Sequence, residues 1–187
     1  MNIETDILIR GVRKQNKQAQ QRVLQLYGEM VFGQVARIVT CQEDAEEVYQ
    51  DVFIKVFRSI ESYDSRQASL ATWISRIAYH ESLNFVRRSK PPIIYVDDRD
   101  VDLDSIQDET LAQVFNQQDE QTIQTIERAL EHLPPDELVL ITMFYYDDMS
   151  IKDIAYATDS NPSTVASRLT RTRQKLYRII QSLHNEP

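Results

Sequence analysis

Residues 149–178 read MSIKDIAYATDSNPSTVASRLTRTRQKLYR, and this stretch decides the fold. Ser150 with Asp153 three positions later has capping-box spacing and opens a short helix running to about Thr158. Asp159-Ser160-Asn161 supplies turn chemistry. Pro162 suits the first turn of a second helix, where its missing N–H is no loss. In that helix Val165, Leu169, Thr172 and Leu176 recur at helical spacing, one apolar face to set against Ile151, Ile154 and Ala155. Ser163, Thr164, Ser167, Arg168 and Arg171 are left on or near the other face. A short helix, a tight turn and a longer helix with a basic outer face form the helix-turn-helix pattern, whose second helix enters the DNA major groove. Ser and Thr bond phosphates or base edges, and Arg reads guanine through two parallel hydrogen bonds. Arg173, Lys175 and Arg178 follow, placed to meet the sugar-phosphate backbone. A solvated amphipathic helix would share the basic face, so the pattern needs support from the rest of the chain.

Working outward, Pro134-Pro135 ends a helix reaching Leu133, and a second helix is expected over 136–146. The N-terminal half reads as four helices. Two fill 5–38, divided near Asn16; a third starts near Cys41–Asp44 with the stripe Ala45, Val48, Val52, Phe53, Val56 and Phe57. The fourth spans roughly 70–89, carries Trp73, Ile74, Ile77, Ala78, Leu83 and Val86, and is stopped by Pro91-Pro92. Residues between about 91 and 124 are rich in Asp, Glu and Gln with little periodicity, apart from one weak helix expected around 108–117. The expected architecture is all-α: two small helical domains, 1–92 and 123–187, joined by a flexible acidic linker, 93–122.

The net charge of −8 speaks against DNA binding until it is divided along the chain. Residues 1–90 carry 13 basic and 11 acidic side chains, residues 91–124 carry 1 and 9, and residues 125–187 carry 7 and 9. The deficit therefore sits in the linker, while 150–178 hold six basic and two acidic side chains. A run of linker carboxylates would shield basic faces in the free protein. Asp98, Asp100, Asp102, Asp104 and Glu109 have calcium-loop spacing, but Leu103 stands where that loop needs Gly, so a solvated run is the better reading. No apolar run approaches the ~18 residues of a membrane span, and the N-terminus lacks a basic-then-apolar leader pattern. Cys41 is the only cysteine, which fits a reducing cytoplasm. No nucleophile–base pair, metal set or phosphate loop can be assembled, so neither an enzyme nor a cofactor is expected.

Two groups of motifs, in order, carry a family resemblance. Leu133-Pro134-Pro135-Asp136, the Met149–Ala155 segment and Ser163–Leu169 resemble the −35-recognising domain of extracytoplasmic-function sigma factors of bacterial RNA polymerase. Asp44–Phe53 resembles the polymerase-binding helix of that family, and Ala71–Ala78 through Arg87-Arg88 its −10-recognising segment. The resemblance implies a transcription initiation factor whose partners are core RNA polymerase, promoter DNA and an anti-sigma factor. It implies that Glu47, Gln50 and Asp51 contact the polymerase, an assignment consistent with their sharing one side of a helix. It implies that the loop holding Tyr63, Ser65 and Arg66 captures an unstacked −10 base, with His80, Asn84, Arg87 and Arg88 along the unpaired strand. Stacking surfaces, amide or imidazole donors and cations suit such a strand. Ser163, Thr164, Ser167, Arg168 and Arg171 would read the −35 duplex. Three departures stand out: Ile74 follows Trp73 where primary sigma factors carry a second Trp, Ala166 replaces a common basic residue, and Asp159 occupies a turn position where Gly is common. A stand-alone helix-turn-helix regulator is the competing reading, but it leaves residues 44–57 and 73–88 unexplained.

Overall fold

The computed structural model describes residues 3–89 and 120–184; the expected linker up to residue 119, with its weak helix at 108–117 and its acidic run, lies outside the described residues, while 120–122 open a helix. Every regular element described is helical. In the first group α1 (Ile3–Arg13), α2 (Lys17–Ile38), α3 (Gln42–Ser59), a single 3₁₀ turn (Ile60–Ser62) and α4 (Leu70–Ser89) follow in order. The second group holds α5 (Glu120–Glu131), α6 (Pro135–Ile141), a π turn (Thr142–Tyr146), α7 (Ile151–Ala157) and α8 (Pro162–His184).

The helix starts follow from local chemistry. Asn16 caps α2, its side-chain oxygen accepting from the Ala19 amide at 3.0 Å. Ser69 does the same for α4, accepting from the Thr72 amide at 3.0 Å. Ser150 caps α7 by accepting from the Asp153 amide at 3.1 Å, and its hydroxyl donates to the Asp153 carboxylate. Asp159, in the turn between α7 and α8, takes φ 51°, a left-handed geometry that Asp tolerates better than most residues. α1 and α2 approach so closely at Gly11 that a Cβ there would lie 2.7 Å from that of Ala19. Because α7 is only seven residues long, its cap matters. Ser150→Ala should cost about 1 kcal/mol, seen as a lowered midpoint of thermal unfolding by circular dichroism.

The apolar stripes read from periodicity face inward. Val31, Val35, Val52, Val56 and Ile74 are fully buried in the first group, and Leu140, Ile141, Ile154, Leu169 and Leu176 in the second. Burying a Leu or Ile side chain is worth about 1.5–3 kcal/mol, so these faces, more than helix propensity, hold the elements.

One element departs from expectation. The helix expected over 136–146 is α-helical only to Ile141 and then widens into the π turn. The Asp147 amide donates to the Thr142 carbonyl at 3.1 Å, and the Met149 amide to the Met143 carbonyl at 3.0 Å, with Asp148 left-handed at φ 49°. The widened turn places Tyr146 and Asp147 against α2, where the Arg37 guanidinium lies 4.6 Å from the Tyr146 ring centroid.

Candidate nucleic-acid and polymerase interfaces

α3 buries Ala45, Val48, Val52, Phe53 and Val56, and helical spacing then turns Glu47, Gln50 and Asp51 outward, all three exposed. Among the described residues they form an open acidic and amide face with no hydrogen-bond or ion-pair partner built across it. This is the arrangement expected for docking on a basic surface.

The segment 63–69 joins the 3₁₀ turn to α4. Tyr63 was expected to offer a stacking ring; instead it is buried, edge-on to Trp73 with ring centroids 5.5 Å apart, and its hydroxyl donates to the Ala68 carbonyl at 3.2 Å. Trp73 is itself 6% exposed, so this pair is the loop's foundation and not a wedge facing DNA. Burial pushes the Tyr63 hydroxyl above the ordinary tyrosine range. The loop's outer surface carries Ser65 and Arg66. Arg66 makes a two-pronged pair with Asp64, Nη2 to Oδ2 at 2.8 Å, and this guanidinium holds the Asp64 carboxyl well below the usual carboxylate range. From α1, Arg13 donates to the Tyr63 carbonyl at 3.2 Å and pairs with Glu61 at 3.4 Å. A cleft of about 510 Å³ lies beside the loop, lined by Arg10, Arg13, Tyr63, Asp64 and Ser65 among others.

On α4, Asn84, Arg87 and Arg88 are exposed and His80 is half-buried. Their spacing of four, three and one sets them along one side, while the buried Ala78, Ser82 and Val86 take the other. His80 Nε2 sits 3.2 Å from Asp159 Oδ2, although its alignment is poor for a hydrogen bond. Burial pushes its imidazole below the ordinary histidine value against the opposing pull of Asp159, which favours the neutral ring near neutral pH. Arg87 pairs with Asp136 at 3.6 Å.

α8 presents Ser163, Thr164, Ser167 and Arg171 to solvent, with Arg168 partly covered, while Val165, Leu169, Thr172 and Leu176 are buried. Ser167 donates to the Thr164 carbonyl at 3.0 Å. Two cations expected on the DNA backbone have partners within their own domain. Arg173 lies over the rings of Phe144 and Tyr145, 4.8 and 5.6 Å from their centroids, and Lys175 pairs with Glu137 at 3.1 Å. Arg178 is exposed.

The two helical groups meet along a seam that the sequence did not announce. α4 packs on α7, and α2 packs on α6 and the π turn. Gln34 Nε2 donates to Ser75 Oγ within its own group and to Asp147 Oδ2 across the seam, each at 2.9 Å. Thr72 Oγ1 donates to Asp153 Oδ1 at 3.2 Å, and Arg76 Nη2 lies 2.8 Å from Asp159 Oδ1. Arg37 approaches Asp147 at 3.7 Å. Burial raises the Asp147 carboxyl above its ordinary value despite Gln34 and Arg37, so this member of the seam is charged at a desolvation cost.

Comparison with known proteins places these surfaces in a family. Residues 23–91 match sigma-70 region 2 and residues 123–176 match sigma-70 region 4. The ECF RNA polymerase sigma-E factor of Haemophilus influenzae is 30% identical over 185 residues, 94% of this chain and 95% of that protein. The Escherichia coli K12 protein of the same name is 29% identical over 189 residues, 95% and 94% of the two chains. Among solved structures, CnrH in complex with the cytosolic domain of CnrY superposes with a TM-score of 0.65 at 17% identity, covering 94% of this chain and 96% of that one. The sigma factor RpoE in complex with the anti-sigma factor NepR, from Bartonella quintana, gives 0.63 at 19% identity, covering 86% and 96%. With its two helical groups matching regions 2 and 4 in order, and a relative of the same length over nearly all of it, the chain belongs to the extracytoplasmic-function sigma factors, the promoter-specificity subunits of bacterial RNA polymerase.

Proposed function

We infer that this sigma factor divides its work among three surfaces. Glu47, Gln50 and Asp51 on α3 dock on core RNA polymerase. The outer side of the 63–69 loop, through Ser65 and Arg66, and the open side of α4, through His80, Asn84, Arg87 and Arg88, hold the unpaired −10 strand. Ser163, Thr164, Ser167, Arg168 and Arg171 on α8 read the −35 duplex. Tyr63 serves the −10 site from beneath, by fixing the loop. The observation that carries this reading is the exposure of Glu47, Gln50 and Asp51 on one helix and of Ser163, Thr164, Ser167 and Arg171 on another, each opposite a buried apolar stripe. The corresponding domains are 1–92 and 123–187, with 93–122 as the acidic linker between two separated DNA elements. The factor works by binding alone, with the polymerase supplying the chemistry, and acts in the cytoplasm where its polymerase is. An anti-sigma factor as regulator is supported by the RpoE–NepR complex among the structural relatives.

Transcription in vitro with cognate core polymerase and a promoter library tests the reading as a whole. Selective initiation supports it, and none with any cognate core enzyme would remove it. For the docking face, Asp51→Lys should weaken core binding roughly tenfold, because like charges brought together across an interface cost on the order of a kcal/mol or more. Competition for core against the unmodified factor measures this, and an unchanged circular dichroism spectrum would show that the helix survives. Equal competition by the two proteins would exclude Asp51 from the interface.

A further inference from the structure

α1 and the 63–69 loop face each other across the cleft of about 510 Å³, a volume within the ~300–1,000 Å³ usual for small-ligand sites. One wall, with Ser65, is part of the surface assigned above to the −10 strand. The other wall, with Asp6, Arg10 and Arg13 of α1, is not. The loop by itself has no net charge to offer a strand. Its single cation, Arg66, is held in the two-pronged pair with Asp64, and a phosphate that drew Arg66 away would leave that carboxylate uncompensated. A captured nucleotide nevertheless brings its phosphate with it, and single-strand affinity depends on cations that neutralise such phosphates. α1 supplies two. Arg10 is exposed; its Nε donates to the Asp6 carbonyl at 3.3 Å, and among the described residues its guanidinium forms no ion pair. Arg13 lies three positions on, on the same side of the helix. Its side chain is 36% exposed and pairs with Glu61, itself 72% exposed, an exposed pairing of the kind that holds weakly. Its Nη2 donates to the Tyr63 carbonyl, which ties α1 to the loop and sets the two walls of the cleft. Across from it the Ser65 hydroxyl is exposed and makes no hydrogen bond among the described residues.

We propose that this cleft is a further subsite for the unpaired strand, in which Arg10 and Arg13 of α1 bind the phosphate of the nucleotide captured at the 63–69 loop and the Ser65 hydroxyl donates to it from the opposite wall. The proposal rests on the assignment of the loop to the −10 strand. The ligand is a phosphodiester within a single strand. A free phosphate or phosphate monoester carries close to two charges at neutral pH, where a phosphodiester carries one. Asp6 lines the same cleft, and its carboxylate forms no ion pair among the described residues, so it opposes the more highly charged anion more strongly. A strand already held along α4 also brings its phosphate to the cleft at high local concentration. Asp6 thereby keeps the attraction of the two arginines modest, which leaves promoter choice to the base contacts.

The test uses holoenzyme and a labelled single-stranded oligonucleotide carrying the −10 region of a promoter from which the factor initiates, with binding read by fluorescence anisotropy. Arg10→Gln should weaken binding about three- to tenfold and lower the logarithmic salt slope by about 0.7, the value for one single-strand phosphate. Asp6→Asn should strengthen binding about two- to threefold. Losing an acid from the first turn of α1 can only loosen that helix, so a gain in affinity does not come from damage to the fold. Arg22→Gln, at an exposed position of α2, is the control of equal charge change and should alter neither affinity nor slope. A methylphosphonate, which removes the charge of one linkage, is then walked along the oligonucleotide. At one linkage beside the captured base, Arg10→Gln should cost nothing further, because the contact is already gone. Unchanged binding by Arg10→Gln, a loss no greater than that of Arg22→Gln, no gain from Asp6→Asn, or losses that add at every linkage would each overturn the proposal. So would displacement of the strand by a deoxynucleoside monophosphate at constant ionic strength, which would make the cleft a site for free nucleotides. Ser65→Ala with Arg66→Ala, assayed for initiation on the same promoter, separates the two levels. Lost initiation there keeps the loop assignment even if Arg10 fails its test, and unchanged initiation means that the loop assignment has failed and the subsite with it.

Discussion

Trp73→Ala is expected to destabilise the N-terminal domain by about 3–5 kcal/mol, the range for removing a buried aromatic side chain. Its ring is 6% exposed and packs edge-on against Tyr63, so truncation empties core volume and removes the platform of the 63–69 loop together. A typical small domain has only about 5–15 kcal/mol of net stability, which makes this substitution capable of unfolding the domain near physiological temperature. Urea unfolding followed by circular dichroism measures the loss; tryptophan fluorescence does not serve, since Trp73 is the sole tryptophan. Trp73→Phe keeps a ring at the Tyr63 contact and should recover most of the stability and of promoter-directed initiation. If Trp73→Ala cost less than about 1 kcal/mol, the burial described for this ring would be wrong.

The second large effect concerns recognition, not stability. Arg168→Ala with Arg171→Ala should weaken binding of the factor, in holoenzyme, to its −35 duplex by tenfold to several hundredfold, each well-placed arginine contact to a base edge being worth about 1–3 kcal/mol. The two side chains lie outside the buried stripe of α8, so folding should be spared. Salt separates the possible roles. If the arginines neutralise phosphates, the logarithmic slope of affinity against salt falls by about one for each phosphate no longer neutralised. If they read bases, the slope changes little and discrimination between promoters relaxes instead. Arg168 is the partly covered one of the two, and Arg171 is exposed.

Much of the molecule was legible from spacing alone. The bounds of α4, the break at Asn16, the cap at Ser150, the left-handed Asp159 and the buried face Val165–Leu169–Thr172–Leu176 all follow from interactions within a few residues. The outward direction of Glu47, Gln50 and Asp51 follows equally from the apolar stripe opposite them. Misreadings arose where a side chain has two environments open to it. Tyr63 is chemically suited to stacking on bases, yet the fold uses it as core, edge-on to Trp73, whose place among the apolar residues of the fourth helix was read from spacing. Spacing likewise gave no sign that Arg173 lies over the Phe144 and Tyr145 rings or that the half-exposed Lys175 pairs with Glu137.

By itself, then, the sequence determined the helices, their inward faces, the helix-turn-helix and the order of family motifs, because each is written in local periodicity and in capping and turn residues that act over one helical turn. Only the tertiary structure decided which charges meet. The total of −8 pointed to the linker as the shield for basic surfaces, and that run lies outside the described residues; among the described residues, the carboxylates that meet Arg37, Arg76 and Arg87 come from the C-terminal group. Pairs such as Gln34–Asp147 and Arg76–Asp159 join residues 113 and 83 positions apart. Such pairings leave no periodic trace, because they depend on how two finished helical surfaces come together and not on the spacing within either.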